Sequence, residues 1–486
     1  MTLSIYDAAE QAPEHPFLIQ GPARVSFSRA KTLAEQAVSL LQEQGLDLGQ
    51  SGAAWDRPLP ALEGRNDLST TVALCAFFTW GRPVLLLPPR FTEPEKRALL
   101  DRVAPTLVVD PSGAPLGTSA KVSAPPTHAE ESPAALVPTS GSTGTPKLVV
   151  LSRRAFLASA KASAKNLGFL PDDRWLLSLS LAHIGGLSIL TRCLLARRTV
   201  VLLEDTSLSR PGAQELARTI DAQRVTLLSL VPAQLSQLLD LEPVWNPPDF
   251  LRAALVGGAP APPALLERAA ERGWPVLTTY GLTEACSQVA TQGYGTVNRG
   301  DQGCGYPLPG VEVRVLNGSI QVRGPTLFSG YYVGQNQADT SIQAVDPGEL
   351  TEGQWFETSD LGELDSLGRL WVHGRSDDVI VTGGEKFHPA EVERFLEQHP
   401  AVRRACVFGI PDPTWGQVVA AALECHPDRP ALDMQELLER CSRDLASFKR
   451  PRRVALVDVA LVPGSDQVDR KRTAERASAR LKLQSE

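Results

Sequence analysis

The sequence predicts an α/β protein with a large N-terminal domain of parallel, helix-covered sheets plus a β subdomain, and a small α+β domain at its C-terminus. Three observations carry this. Helix-patterned and strand-patterned segments alternate from about residue 26 to 279, the arrangement of a parallel sheet covered by helices. Between 303 and 373 the texture changes to short strands and glycine-rich turns, as in V-E-V-R-V, S-I-Q-V-R-G and G-R-L-W-V-H-G. Beyond Gly374–Asp378 a last segment mixes β and α patterns and ends in a charged helix. At 486 residues the chain exceeds one compact core, which agrees with two or more domains.

Taken in order, Phe27, Leu33, Ala37, Leu40 and Leu41 fall on one side of a helix over about 26–45. A buried helix over 70–79 leads to a strand at 83–87, and a helix over 93–102 leads to a strand at 106–110. Residues 111–133, rich in Pro, Ser and Ala, read as a surface linker. Strands are expected at 134–137 and 148–151, a helix over 153–166, and further strands at 175–179, 199–203, 226–230, 253–256 and 275–279. The tail R-K-R-T-A-E-R-A-S-A-R-L-K reads as a solvated helix.

Composition narrows the partners. An apolar content of 43% with 21% charged residues describes an ordinary soluble globular chain. A net charge of −7 argues against a nucleic-acid surface, while leaving room for the local basic sites an anionic substrate needs. The N-terminal M-T-L-S-I-Y-D-A-A-E has neither the basic region nor the apolar core of a signal peptide. The apolar run 72–87 is interrupted by Trp80-Gly81-Arg82-Pro83, so no membrane span is expected. Seven scattered cysteines without a C-x-x-C pair fit the reduced thiols of a cytoplasmic protein, with neither a zinc site nor a disulfide framework. Self-association is left open.

The most informative stretch is Pro138–Lys147, P-T-S-G-S-T-G-T-P-K, a tight connection between two strands. Glycines let the backbone approach an anion, hydroxyls and N–H groups donate to phosphate oxygens, and the lysine adds a mobile point charge. The P-loop pattern G-x-x-x-x-G-K-[ST] is not met, because Gly141 and Gly144 are too close and Lys147 does not follow the glycine. By composition alone the loop reads equally as a solvated turn. It resembles, however, the phosphate loop of the adenylate-forming enzymes (acyl-CoA synthetases, luciferases and peptide-synthetase adenylation domains). Five separate stretches follow that family's order, from about residue 134 to 451.

The resemblance implies ATP, Mg²⁺ and coenzyme A as cofactor and co-substrates. Thr139, Ser140, Gly141, Ser142, Thr143, Gly144 and Lys147 would cradle the phosphates, with Thr143 also in the catalytic set. Gly257-Gly258-Ala259 resembles the segment lining the adenine face. In Tyr280-Gly281-Leu282-Thr283-Glu284, Tyr280 would pack on adenine, Thr283 contact phosphate and Glu284 hold Mg²⁺, a hard cation that wants oxygen ligands. Asp360 would accept from the ribose hydroxyls, and Arg375 would contact the nucleotide. Asp377 would be the pivot of a hinge at 375–378, between an adenylation domain over 1–374 and a mobile C-terminal domain over 379–486. Gly383, Gly384, Trp415, Phe448, Lys449 and Arg450 resemble the residues around the pantetheine channel and CoA, although packing is an equal reading for both aromatics.

For the acyl substrate, H-x-x-G-L-S-I-L-x-R places His183, Ser188 and Arg192 on one apolar run. A cation at the end of such a run needs an anionic partner. This pattern, V-T-L-L-S-L-V-P-A-Q-L at 225–235 and Y-G-L-T-E-A-C-S-Q resemble the o-succinylbenzoate–CoA ligases of menaquinone biosynthesis. Their substrate is an aromatic dicarboxylate, so the resemblance implies that His183 gates the activated carboxylate and Arg192 pairs with the other. Another aryl or acyl acid, or a carrier protein as acceptor, is the runner-up.

One departure stands out. The family's catalytic lysine lies in a G-K-x-x-R stretch, and counting back from Arg472 its place holds Asp469. A carboxylate about 4 Å from the reacting anions would cost roughly 4 kcal/mol at an effective dielectric of ~20. Either Lys471, on the same side as Asp469 if the segment is extended, supplies the charge, or the chain binds nucleotide and adenylates poorly.

Overall fold

The structure is a computed structural model that describes residues 2–46, 59–89, 91–109, 125–126, 128–139, 147–204, 212–296, 303–335, 342–344, 355–382, 385–412, 416–462 and 468–483. The chain divides into two compact units. One comprises Met1–Ala261, Leu266–Val313 and Val322–Phe356; the other comprises Pro262–Leu265, Arg314–Gln321 and Glu357–Glu486.

Two sheets build the first unit. The nine-stranded sheet runs Tyr306–Pro307, Ser287–Thr291, Val276–Leu282, Ala253–Val256, Leu227–Leu230, Arg174–Leu176, Thr199–Leu202, Pro16–Gln20, Ala23–Ser26. Its middle strands are parallel and largely apolar, as strands buried on both faces must be. Leu230, Val256 and Thr278 lie level across three of them, so the segments following each strand emerge side by side. In open α/β sheets this carboxyl edge is where ligands bind. A buried ion pair fixes the other end: Arg252 donates from Nε and Nη2 to Asp173 at 2.8 and 2.5 Å.

The seven-stranded sheet runs Ile342–Ala344, Gly330–Gln335, Lys147–Ser152, Pro133–Thr139, Val84–Leu87, Pro60–Glu63, Leu107–Val109. Pro133–Thr139 and Lys147–Ser152 pair antiparallel down to Thr139 opposite Lys147, so the hydroxyl-rich loop spans the end of a hairpin. The helix Leu68–Thr79 begins at the N-cap Asp67, which accepts Thr70 N–H at 2.7 Å, and is apolar all round because it is buried all round.

Three expectations shift. The first long helix, Phe27–Glu43, buries Ala30, Ala34 and Val38 beside Phe27, Leu33 and Leu41, and leaves Ala37 and Leu40 at its margin. The strand expected at 175–179 ends at Leu176, where the chain turns toward the helix Ile184–Ala196. The tail helix Arg470–Leu483 is amphipathic rather than wholly solvated. Thr473, Ala477 and Leu481, four residues apart, form a buried stripe masked by the charges between them. Most of 111–133 lies outside the described residues.

The second unit carries most of a four-stranded sheet, ordered Glu312–Leu316, Ser319–Arg323, Phe356–Leu364, Leu370–Arg375. It also holds a three-stranded sheet of Val402–Asp412, Gly416–Cys425 and Arg453–Leu456. Strand alternation sends Val407, Val419, Ala421 and Leu423 toward the helices Pro389–Glu397 and Met434–Asp444. Cys406, Phe408, Ala420 and Ala422 face Arg470–Leu483 on the other side. Among the described residues no helix is long and apolar enough to cross a membrane.

Candidate active site

The phosphate hairpin is described at its rims. Thr139 and Lys147 close it in register, whereas Ser140, Gly141, Ser142, Thr143 and Gly144 lie outside the described residues. Lys147 is exposed and makes no ion pair among the described residues; its Nζ stands 4.8 Å from the centre of the Tyr331 ring. The geometry follows from the sheet. Tyr331 pairs with Val149, and Lys147 lies two residues along on the same face. The Tyr331 hydroxyl in turn donates to Glu284 Oε1 at 2.9 Å.

Glu284 sits in the short helical turn Thr283–Ala285 that ends the strand Val276–Leu282. It is half-buried, and among the described residues no second side chain bonds its carboxylate. One oxygen held by a phenol leaves the other for a hard cation completed by phosphate oxygens, so Glu284 fits the magnesium expected there. Thr283 lies in the same turn, with its carbonyl accepting Cys286 N–H at 3.0 Å. Tyr280 is buried at the preceding strand end, and Gly257, Gly258 and Ala259 follow the neighbouring strand. Gly257, Gly258, Ala259, Tyr280, Thr283 and Glu284 therefore gather at the carboxyl edge of the nine-stranded sheet.

The residues expected to bind the acyl substrate have a feature the sequence hinted at and the structure sharpens. Arg192 is 2% exposed inside the helix Ile184–Ala196. Its Nη2 donates to Ser287 Oγ at 3.1 Å, its guanidinium carbon lies 5.4 Å from the centre of the Trp175 ring, and its Nε has no partner among the described residues. Among the described residues no carboxylate pairs with it. Burial pulls the guanidinium down to about 10, still protonated at neutral pH. Ser188 donates to Gly185 O at 2.9 Å and lies 3.3 Å from Ser287 Oγ. His183 occupies the N-cap position of the helix without capping it through its side chain.

Ser287 lies within the stretch Y-G-L-T-E-A-C-S-Q, yet the sequence assigns it no role of its own. It comes into play through backbone conformation: Cys286 and Ser287 both take left-handed φ, at 52° and 92°, uncommon for residues other than glycine. Gly281 makes room for them, since a Cβ there would stand 1.9 Å from the Ser287 carbonyl oxygen. Strained backbone of this kind costs on the order of 1–3 kcal/mol and persists where the surroundings enforce it.

In the second unit Asp360 and Arg375 face each other in register across adjacent antiparallel strands, Arg375 ending its strand before the turn Ser376–Asp378. Phe448 packs edge-on to Phe387 at 6.1 Å, Lys449 pairs with Glu391 at 2.5 Å, and Arg450 Nε donates to Leu445 O at 2.8 Å. Gly383, Gly384 and Trp415 lie outside the described residues, as does the side chain of Asp377.

Asp469 caps the last helix: its Oδ1 accepts Arg472 N–H at 3.0 Å. Lys471 is then exposed in the first helical turn, and the extended-strand argument that put it on the same side as Asp469 does not apply, because a helix turns about 200° in two residues. Arg470, not Arg472, is the anchored arginine, hydrogen-bonded to Glu393 and to Val407 O at 2.6 Å and ion-paired with Asp378 at 3.3 Å. Counted from Arg470, the lysine position falls on Gln467, outside the described residues.

Parallel strands under helices, an exposed lysine at a hairpin end and a half-buried carboxylate just past a strand fit the frame of a nucleotide-binding α/β enzyme. Comparison with known proteins narrows that class. The AMP-binding enzyme family model matches residues 5–332, and the AMP-binding enzyme C-terminal domain model matches 391–463. The chain belongs to the AMP-binding enzyme family. It is 34% identical over 480 residues to the 2-succinylbenzoate–CoA ligase of Bacillus licheniformis, covering 93% of this chain and 94% of that one. Among solved structures it resembles the o-succinylbenzoate CoA synthetase MenE of Bacillus subtilis in complex with the acyl-adenylate intermediate OSB-AMP, with a TM-score of 0.84, 29% identity and 97% coverage of both chains. The same enzyme with ATP and magnesium ion matches with a TM-score of 0.82, 29% identity, and 97% and 99% coverage.

Proposed function

We propose that the chain is an ATP-dependent, AMP-forming carboxylate–CoA ligase that converts o-succinylbenzoate to o-succinylbenzoyl-CoA through an acyl-adenylate. The observation that carries the substrate is Arg192: a buried guanidinium beside Ser287 and Trp175, with no carboxylate among the described residues to answer it. Such a cation is costly unless an anion completes it, and an acid with a second carboxylate does so. The relatives' names specify that acid.

The reaction then gives each of this chain's residues a role. Ser140, Ser142, Thr143 and Lys147 hold the triphosphate while one carboxylate of the acid attacks the α-phosphorus and pyrophosphate leaves. His183, at the head of the Arg192 helix, borders the reacting carboxylate. Magnesium, held by Glu284, supplies neutralising charge on the phosphate oxygens. Asp360 and Arg375 address the ribose and nucleotide. Residues 375–378 act as a hinge for a mobile domain over 379–486, which brings CoA so that its thiolate attacks the acyl carbon and AMP departs. The charge expected of a lysine falls to Lys471.

Pyrophosphate release across a panel of aryl acids, with and without CoA, tests this. Release that depends on o-succinylbenzoate supports it. Nucleotide binding without release for any acid would instead favour a nucleotide-binding protein with impaired adenylation, the reading to which the lack of a lysine at either position 467 or 469 lends support.

A further inference from the structure

Two neighbouring tyrosines on the strand Gly330–Gln335 have opposite fates. Tyr332 is 1% exposed in an apolar cluster with Leu85, Leu136 and Val150, and its hydroxyl has no hydrogen-bond partner among the described residues. Tyr331, turned to the other face by strand alternation, reaches Lys147 and Glu284 at once. No motif links it to either residue.

We propose that Tyr331 is a positioning residue for the metal and phosphate end of the site, resting on the ATP-binding reading above. Its hydroxyl donates to Glu284 Oε1 at 2.9 Å, which fixes the rotation of the carboxylate and presents the other oxygen to a divalent cation. Its ring faces the Lys147 ammonium at 4.8 Å, within cation–π range, and restrains a long flexible side chain beside the phosphates. The grip on Glu284 is double. Phe328, packed edge-on to Tyr331 at 4.9 Å, donates its N–H to the Glu284 carbonyl oxygen at 2.7 Å. Pairing of Gly330 with Val150 and of Tyr331 with Val149 ties this assembly to the strand that begins at Lys147. One tyrosine thus couples the position of the metal-binding carboxylate to that of the phosphate lysine.

The two halves of this device separate by substitution. Calorimetric titration of ATP in excess Mg²⁺ and in EDTA is compared for wild type, Tyr331→Phe, Tyr331→Leu and, as a control, Tyr332→Phe. Tyr331→Phe keeps the ring, so ATP binding is expected to weaken about 10-fold in Mg²⁺ and to stay unchanged in EDTA. Tyr331→Leu removes the ring as well and is expected to weaken binding in both conditions. Tyr332→Phe is expected to match wild type in both. A Tyr331→Phe protein with wild-type Mg²⁺-dependent affinity overturns the proposal, as does a loss of equal size with and without the metal. Wild-type protein that binds no ATP in either condition overturns the ATP reading along with it.

Discussion

Arg192 donates to Ser287 Oγ at 3.1 Å from within a helix that is otherwise apolar along much of its buried face. The serine meets it through two left-handed residues and a glycine placed where no side chain fits. These residues are therefore arranged around a cation with no carboxylate partner among the described residues, and outcomes follow from that and from neighbouring features.

Arg192→Gln keeps a donor and removes the charge. The KM for o-succinylbenzoate is expected to rise about 10–100-fold, the weight of a charge-assisted hydrogen bond, while the KM for an aryl monocarboxylate stays within about 3-fold. Because the lost charge was buried with no counter-ion among the described residues, the melting temperature should not fall. Steady-state kinetics on the two acids, alongside a thermal melt, check both statements.

Gly281→Ala would drive a Cβ to 1.9 Å from the Ser287 carbonyl oxygen and 2.6 Å from its carbon. Both are backbone atoms, so the strands must part. A stability loss of about 1–3 kcal/mol is expected in denaturant titration, together with at least ~10-fold slower acid-dependent ATP–pyrophosphate exchange as Ser287 is displaced.

Asp469→Ala removes the cap on Arg472 N–H and should cost about 1 kcal/mol in denaturant titration, whereas Asp469→Asn should retain most of it. If Lys471 supplies the charge for adenylation, Lys471→Ala should slow ATP–pyrophosphate exchange by about 100-fold or more without altering stability. An unchanged exchange rate rules Lys471 out.

Glu397 gives a pH dependence. Burial, with Glu393 nearby, pushes its carboxyl up to about 7 against the Ala405 N–H that donates to it at 3.0 Å. Its folded value lies above the unfolded one, so the native state holds the extra proton between about pH 4.5 and 7 and loses stability as pH rises through that window. The contribution is on the order of 3 kcal/mol. Glu397→Gln should be stabilised relative to wild type at pH 8 and much less so at pH 5, measured by guanidinium titration at both.

Much of the frame was legible because its signals are local. Apolar runs such as Val84–Leu87 and Ala253–Val256 announce strands buried on both faces, and the hydroxyl-rich hairpin shows in ten consecutive residues. Arg192 stood out as a charge in an apolar run. What escaped depends on backbone conformation or on long-range pairing. Ser287 matters through a left-handed φ that its side chain does not advertise. Tyr331 acts only because its strand pairs with Lys147–Ser152, some 180 residues earlier. Asp469 looked like a misplaced charge because the family pattern was counted back from Arg472, whereas it caps a helix whose buried stripe is hidden among arginines and lysines.

Mass spectrometry of the reaction products decides whether the chain is this ligase. With ATP, Mg²⁺ and o-succinylbenzoate the protein should form o-succinylbenzoyl-AMP, and adding CoA should convert it to o-succinylbenzoyl-CoA with one AMP per thioester. ATP left intact in the presence of that acid, or a monocarboxylic acid activated in its place, would refute the assignment.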